Sequence, residues 1–558
     1  MANELTVRAV VVGAFIGLVL LVTNLYVGLK TGWWDGGSVT AAIVAFAILG
    51  RARRPYSPLE NNISQATASS VAAMPATAGL LGALPALQLL GHRLPHLPLV
   101  AWAIAVGVLG VLGGTLLARR LIVAERLPFP TGIATAQVIT ALHAARGTRD
   151  VRARLLAAGA VASAAIAWLR DGVPALLPQF FALPGRVAGV ASATLTLGLA
   201  CSPVMAAAGA LVGVRLAASI ALGAVLAWVG GAPLLWRRHL VADTDFGSFE
   251  SWLIWPGVGL VVGAAAAHLP AAGRAVMQQL RRVSAARLPA PSALRSFALV
   301  AGAVMIVVWM GRLMFAVSAL QTLVGLALSV VAMEICGRVA GASDFAPIGT
   351  MGQLAQALAP TIGAHDAAAN LGASAVVAST PAQSTQSLWV LRAGHDLGAS
   401  VPRQRVALLI GCALGGVVAV PAYDLLVRAY GLGSARLPAP SAQVWRSMAQ
   451  VVSGGSSLPH ALVVVVVVAA LVGCLLGAVE SYRFARRLPS PTALGIGFVM
   501  PAYYAAAILL GAIVTAIVVR RRSSFADKAP AVAAGVMAGE ALVGVLVALL
   551  ITIGVLHR

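Results

Sequence analysis

The sequence predicts an all-α polytopic membrane protein of about 14 to 16 transmembrane helices, in two related halves with broken or re-entrant polar segments. Three observations predict it. The 558 residues are 60% hydrophobic and only 10% charged, with a mean hydropathy of +0.92; a soluble domain carries about 25% charged residues. Long apolar runs succeed one another, and a helix needs about 20 residues to cross a hydrocarbon core of about 30 Å. Short arginine clusters punctuate those runs, as the positive-inside rule requires. This balance excludes a soluble globular enzyme, a disordered chain and a disulfide scaffold.

The apolar runs are 7–29, 36–50, 98–118, 153–169, 186–202, 204–231, 251–268, 294–315, 318–336, 405–428, 460–480, 505–519 and 530–556. The first follows no basic n-region and is too long for a signal-peptide core, so it reads as a transmembrane helix. Two stretches carry too many amides and hydroxyls for a lipid-facing helix. Residues 61–90 hold Asn61, Asn62, Ser64, Gln65, Thr67, Ser69 and Ser70, then Pro75 and Pro85. Residues 347–389 hold Pro347, Gln353, Gln356, Pro360, Pro381, Gln383, Ser384 and Gln386. Both should face protein or a wet cavity.

The net charge of +22 comes from arginine, since Lys30 and Lys528 are the only lysines. The charges form no single basic face, so nucleic acid is not an expected partner. The basic stretch 272–295 reads as cytoplasmic; 239–250, with Asp243, Asp245 and Glu250, reads as external, as does the Gly/Ser/Pro-rich loop near 429–459. Both 119–126 and 146–154 are basic, so 128–143 is expected to be re-entrant.

The chain also repeats itself. Arg126-Leu-Pro-Phe-Pro-Thr131 recurs as Arg487-Leu-Pro-Ser-Pro-Thr492, and Ser57-Pro58-Leu59 with Gln65 parallels Ala346-Pro347-Ile348 with Gln353. The expected organisation is an N-terminal transmembrane half, 1–272, a basic cytoplasmic linker, 273–294, and a C-terminal transmembrane half, 295–558. Related halves are a recurrent transporter design. GxxxG spacings such as Gly535/Gly539 are read as helix-packing sites.

Catalytic signatures are missing. The sequence has no Walker A motif, no HExxH and no GxSxG, and its nine histidines form no metal-ligand spacing. Cys201, Cys336, Cys412 and Cys474 lie in apolar runs without a CxxC pair and read as small buried hydrophobes. The expectation is a non-enzyme with no cofactor and no metal. Without a nucleotide motif, active transport would draw on an ion gradient.

What remains is polar chemistry at membrane depth. A carboxylate there costs several kcal/mol unless paired, protonated or hydrated. Glu60, Glu334 and Glu540 are therefore the candidate proton-coupling groups, with a helix cap as the alternative for Glu60 and salt bridges as the alternative for the others. Glu125 and Glu480, beside arginines, read as salt-bridged. Asn, Gln, Ser and Thr suit a peptide-like solute, because they donate and accept without committing to one charge. The candidate pathway residues are Asn24, Tyr26, Asn61, Asn62, Gln65, Gln353, Gln356, Gln383 and Gln386. Interhelical hydrogen bonding is the competing role for such residues.

Six motifs together resemble the oligopeptide transporter (OPT) family, which includes the yellow-stripe-like metal-chelate transporters. They are Asn24-Leu-Tyr-Val-Gly-Leu-Lys30, Leu59-Glu-Asn-Asn-Ile63, Arg126-Leu-Pro-Phe-Pro-Thr-Gly-Ile-Ala-Thr-Ala136, Phe345-Ala-Pro-Ile-Gly349, Gly398-Ala-Ser-Val-Pro-Arg403 and Leu488-Pro-Ser-Pro-Thr-Ala-Leu-Gly-Ile-Gly497. The resemblance implies about 16 helices and proton-coupled symport of small peptides or their metal chelates, with protons and the lipid bilayer as partners and a homodimer as one possible assembly. The arginine clusters between apolar runs read as those of a bacterial inner-membrane protein. This sequence departs from the family pattern where acidic or lysine positions read Gln137, Gln386, Val390 and Arg392. A facilitative transporter or channel for another small solute, or a membrane-embedded enzyme acting on peptides or lipids, are the alternatives.

Overall fold

The computed structural model describes residues 4–32, 34, 36–50, 54–144, 151–172, 176–241, 243–244, 248–250, 252–264, 266–267, 292–343, 346–434, 436–454, 460–479, 488–553 and 555–556. The linker 273–294 up to residue 291, Phe345, Glu480, the Arg487 that opens the second Leu-Pro repeat, and residues 455–459 of the expected external loop lie outside them.

The chain is helical almost throughout. In order come α1 (Val7–Thr31), α2 (Ser38–Leu49), α3 (Pro58–Ala72), α4 (Met74–Thr77), α5 (Ala83–Leu89), α6 (His96–Ala118), α7 (Pro130–Ala144) and α8 (Val151–Ala167). Four short strands follow: β1 (Phe180–Ala182), β2 (Arg186–Val187), β3 (Val190–Ala191) and β4 (Gly198–Ala200). Then come α9 (Pro203–Val212), α10 (Val214–Ala224), α11 (Ala232–Arg237) and α12 (residues 252–264). The remainder is α13 (Ser292–Phe315), α14 (Ala319–Ser343), α15 (Ile348–Leu358), α16 (Ala367–Asp396), α17 (Val401–Tyr430), α18 (Pro440–Val452), α19 (His460–Val479), α20 (Pro491–Val499), α21 (Ala502–Arg521) and α22 (Ala529–Thr552).

Among the described residues, 10 helices are long and apolar enough to cross a membrane. Runs that raised the sequence-based count to 14 or more fold as shorter helices, such as α2 and α9. At about 1.5 Å per residue, the 15 residues of α7 fall short of a core about 30 Å thick.

Two expectations are corrected. The run 186–202 is not a helix. Gly185 and Gly189 take positive φ (111° and 88°) and turn the chain, so β2 pairs with β3 and β1 pairs antiparallel with β4. The run 204–231 is not one helix either, because Gly213 (φ 82°, ψ 168°) separates α9 from α10.

The chain divides into two compact units. Unit 1 comprises Met1–Leu25, Trp34–Ala153 and Pro270–Asp424; unit 2 comprises Tyr26–Trp33, Arg154–Leu269 and Leu425–Arg558. Each unit draws on both of the halves expected from the repeat. The two divisions describe different properties, one grouping residues that touch and the other residues that correspond. The Ser-Pro-Leu match falls within unit 1, whereas the Leu-Pro match pairs a residue range of unit 1 with one of unit 2.

Unit 1 is built around α16, which packs on α3, α6, α7, α14 and α15. Asp366 caps it by accepting from the backbone N–H groups of Ala368 (2.9 Å) and Ala369 (3.0 Å). Its Ala, Ser and Gly content lets neighbours approach closely: a Cβ at Gly110 or Gly114 of α6 would press on the carbonyls of Thr380 and Ser384. The first polar stretch is broken as expected. After α3 the chain turns at Gly79 (φ 73°) between α4 and α5.

In unit 2, α9 packs on α21 and α22, and α10 packs on α20 and α21. Val204, Met205, Trp228, Met500, Tyr504 and Met537 form its apolar centre. The β1–β4 ladder leans on α21, with Phe180 stacked on Tyr503 at 4.3 Å. Gly535 and Gly539 of α22 face the Leu156 and Ala160 carbonyls of α8, where a Cβ would collide.

Candidate functional site

The candidate residues comprise buried amides and arginine-held carboxylates in unit 1 and an ionic cluster in unit 2. In unit 1, α3 presents Asn61, Asn62 and Gln65, all 0% exposed. Gln65 Nε2 donates to Asn62 Oδ1 at 3.0 Å, and Asn61 Nδ2 lies 3.4 Å from His143 Nε2. Asn61 Oδ1, Asn62 Nδ2 and Gln65 Oε1 have no hydrogen-bond partner among the described residues. Asn24 is committed to the fold, donating to the Ala72 carbonyl at 2.7 Å.

The helices α15 and α16 carry the other buried amides. Gln356 Nε2 donates to Asn370 Oδ1 at 3.2 Å, and Asn370 Nδ2 returns a bond to the Gln356 carbonyl at 2.8 Å. Gln383 has a partner on each amide atom: it accepts from Thr77 Oγ1 at 2.9 Å and donates to Ser70 Oγ at 2.7 Å. Gln386 Nε2 donates to Ser38 Oγ at 3.2 Å. The Oε1 atoms of Gln353 and Gln386 have no partner among the described residues. Five predicted residues thus keep spare amide atoms while three (Asn24, Gln356 and Gln383) brace helices.

Two candidate carboxylates in unit 1 are held by arginines. Glu60 forms a capping box with Ser57, its backbone N–H donating to Ser57 Oγ (3.1 Å) and its carboxylate accepting from the Ser57 N–H (3.2 Å). The carboxylate also accepts from Thr6 Oγ1 at 2.8 Å and from Arg8 at 2.9 and 2.7 Å. Glu334 accepts from Arg338 Nε at 2.6 Å and pairs closely with Arg120. Glu125 binds Arg338 at 2.6 and 2.7 Å and lies 3.4 Å from Arg120. Two glutamates and two arginines therefore balance one another.

In unit 2, Glu540 is 0% exposed at the centre of an ionic cluster. Its carboxylate accepts from Arg170 at 2.9 Å, Ser202 Oγ at 2.7 Å and the Val204 N–H at 2.7 Å. That N–H belongs to the first turn of α9, whose positive dipole end favours an anion. Arg170 also binds Asp171 and the Cys201 carbonyl. Tyr26 stands edge-on to Tyr430 at 6.2 Å, with Lys30 over its ring at 4.5 Å. Lys30, Arg170, Asp171 and Ser202 were not among the sequence candidates. The available signals were a rare lysine ending the first apolar run and an Arg-Asp pair ending the run 153–169.

A third buried group lies before the run 251–268. Burial pushes the Glu250 carboxyl up to about 8, with Arg446 opposing the shift.

The model of the family described as OPT oligopeptide transporter protein matches residues 4–551. The chain belongs to the OPT family. A relative in Haemophilus influenzae named "Putative oligopeptide transporter" is 25% identical over 95% of this chain and 93% of its own length. A relative in Oryza sativa subsp. japonica named as a probable metal-nicotianamine transporter is 24% identical over 97% of this chain and 85% of its own length. This OPT member is thus a multi-pass membrane protein whose relatives are transporters. The Leu59–Ile63 motif opens α3 and carries both the cap and the spare amides, and Phe129 of the Leu-Pro motif docks through its N–H on the Gly341 carbonyl at 2.8 Å.

Proposed function

We propose that this OPT member is a proton-coupled symporter of small oligopeptides or peptide-like metal chelates, working in the bacterial inner membrane. The observation that carries the reading is the set of buried, partly unpartnered amides on α3, α15 and α16. A buried polar atom without a partner costs about 1–3 kcal/mol. A helix interior that keeps several of them suits a polar guest with its own donors and acceptors. Peptide bonds and the amino and carboxylate groups of chelators supply both. The names of the relatives point to the same two substrate classes.

In this proposal Asn61, Asn62, Gln65, Gln353 and Gln386 contact the solute, and Asn24, Gln356 and Gln383 hold the helices that present them. Tyr26 belongs with the ionic cluster. Glu60 and Glu334 act as counter-charges for arginines. Glu540 is the candidate carboxylate with a second, looser cation nearby, which puts the coupling charge in its cluster. Short arginine runs such as 51–54 and 520–522 support a cytoplasmic placement of the loops that carry them.

Uptake of a di- to hexapeptide pool into proteoliposomes tests the reading, with and without divalent metal, under an inward proton gradient. The expected result is accumulation that an ionophore abolishes, with peptide masses unchanged. Equilibration indifferent to the gradient would instead mean a facilitator, the reading favoured by carboxylates so fully engaged with arginines. Cleaved peptides would mean an enzyme.

A further inference from the structure

We propose that the ε-amine of Lys30, in the ionic cluster of unit 2, is the group that binds and releases the transported proton. The assignment rests on the proton-coupled reading and names the atom that does the coupling.

Three of the four charges in the cluster are fixed by geometry. Arg170 is 1% exposed and spends its guanidinium on Glu540, Asp171 and the Cys201 carbonyl. A guanidinium does not release its proton in a protein. Glu540 is held by Arg170, the Ser202 hydroxyl and the Val204 N–H. Asp171 is held by Arg170 and by Gln179 Nε2 at 2.9 Å. Each carboxylate already receives strong donors, so a proton arriving there would have to break them.

Lys30 is held differently. It is 3% exposed, yet its Nζ stands 3.8 Å from Glu540 Oε1, beyond hydrogen-bond range. Two ring faces also flank it, that of Tyr26 at 4.5 Å and that of Tyr504 at 5.8 Å. An ammonium offers three donors. Here a buried ammonium has one distant carboxylate and two π faces, which stabilise it only in part. A neutral amine tolerates the same surroundings. Lysine is also a side chain that readily changes protonation when buried.

The charges facing Lys30 come from every side. Arg170 and Asp171 lie on the segment after α8, Glu540 on α22 and Arg436 beyond α17, and the phenols of Tyr26, Tyr430 and Tyr504 border the cluster. With Lys30 protonated, Lys30, Arg170, Arg436, Asp171 and Glu540 sum to plus one; with Lys30 neutral they sum to zero. A full buried charge that comes and goes is a large bias between two conformations of a membrane protein. On loading, the amine lone pair takes a proton from one aqueous face and forms the third N–H bond of the ammonium. On release, that bond breaks and water at the other face accepts the proton. No other bond changes.

Because Lys30 and Lys528 are the only lysines, isotope-labelled lysine gives two side-chain signals in the full-length protein in nanodiscs. Lys528→Arg identifies them. Lys30 is expected to change protonation state across the pH range in which uptake of the peptide pool is proton-driven, and Lys528 is not. A Lys30 signal that stays ammonium throughout that range overturns the assignment. Lys30→Arg, which keeps the charge but cannot release it, is expected to lose gradient-driven accumulation at least tenfold and to retain peptide counterflow. Accumulation at the wild-type level in that variant also overturns it. A wild type that never accumulates the pool sinks the symport reading itself; a wild type that accumulates it while Lys30 stays ammonium sinks only the assignment to Lys30.

Discussion

The interiors of the two units bury polar groups by opposite means. Unit 1 fills the space around α16 with neutral amides and hydroxyls and leaves several of their atoms without a partner among the described residues. Unit 2 gathers Arg170, Asp171 and Lys30 around Glu540, giving the carboxylates and the guanidinium strong partners while the Lys30 ammonium stands 3.8 Å from Glu540. Neutral amides can exchange partners without moving charge, which suits a surface that meets varied solutes. Paired charges are costly to separate, which suits a switch or a brace. The comparison teaches that burial alone does not mark a binding residue; what distinguishes the two regions is whether the buried group is finished.

The comparison can be broken most forcefully in unit 2. Glu540→Ala would leave Arg170 and Lys30 buried without their common partner. We expect a loss of about 3–5 kcal/mol, seen as a collapse of the folded, monodisperse fraction in detergent. A stable, monodisperse variant would mean that the cluster contributes little to the fold. Next in size is Gly539→Leu on α22, whose side chain must displace the Ala160 carbonyl of α8. Loss of that close approach is expected to cost a few kcal/mol in thermal stability, more than Gly→Leu at the open position Gly230.

Glu250 offers a pH test. Its folded carboxyl titrates near 8, above the usual 4.3 or so of an unfolded glutamate. Between those values the unfolded chain binds fewer protons than the folded one, so stability falls as pH rises through the window. The loss is on the order of a few kcal/mol by pH 8 and is absent below the unfolded value. Glu250→Gln should remove that slope, measured as melting temperature at pH 5 and pH 8. Parallel slopes in wild type and variant would show that Glu250 ionises freely. The smallest effect expected is in unit 1, where Ser57→Ala removes one side of the α3 capping box for about 1 kcal/mol.

Much of this was legible in the chain. Apolar runs set the class, and the amides of 61–90 with Pro75 announced a broken segment, which the turn at Gly79 fulfils. Periodicity failed at 186–202 because β-branched and small residues between glycines suit a strand as well as a helix, and only Gly185 and Gly189 hinted at the turns. The partners of the carboxylates could not be read at all. Arg170 and Glu540 are 370 residues apart in sequence, and nothing local says which arginine meets which glutamate. Lys30 was passed over for the same reason: its meaning comes from a helix near the other end of the chain.

The most direct test of the account is Gln353→Leu, with melting temperature and peptide uptake measured on the same proteoliposome preparation. Gln353 Oε1 has no partner among the described residues, so an apolar side chain of similar size removes an unsatisfied group. The account predicts an unchanged or higher melting temperature together with uptake of the peptide pool reduced about tenfold or more, roughly 1.4 kcal/mol of lost binding. A lower melting temperature with uptake intact would contradict it, because the amides of unit 1 would then serve the fold and not the solute.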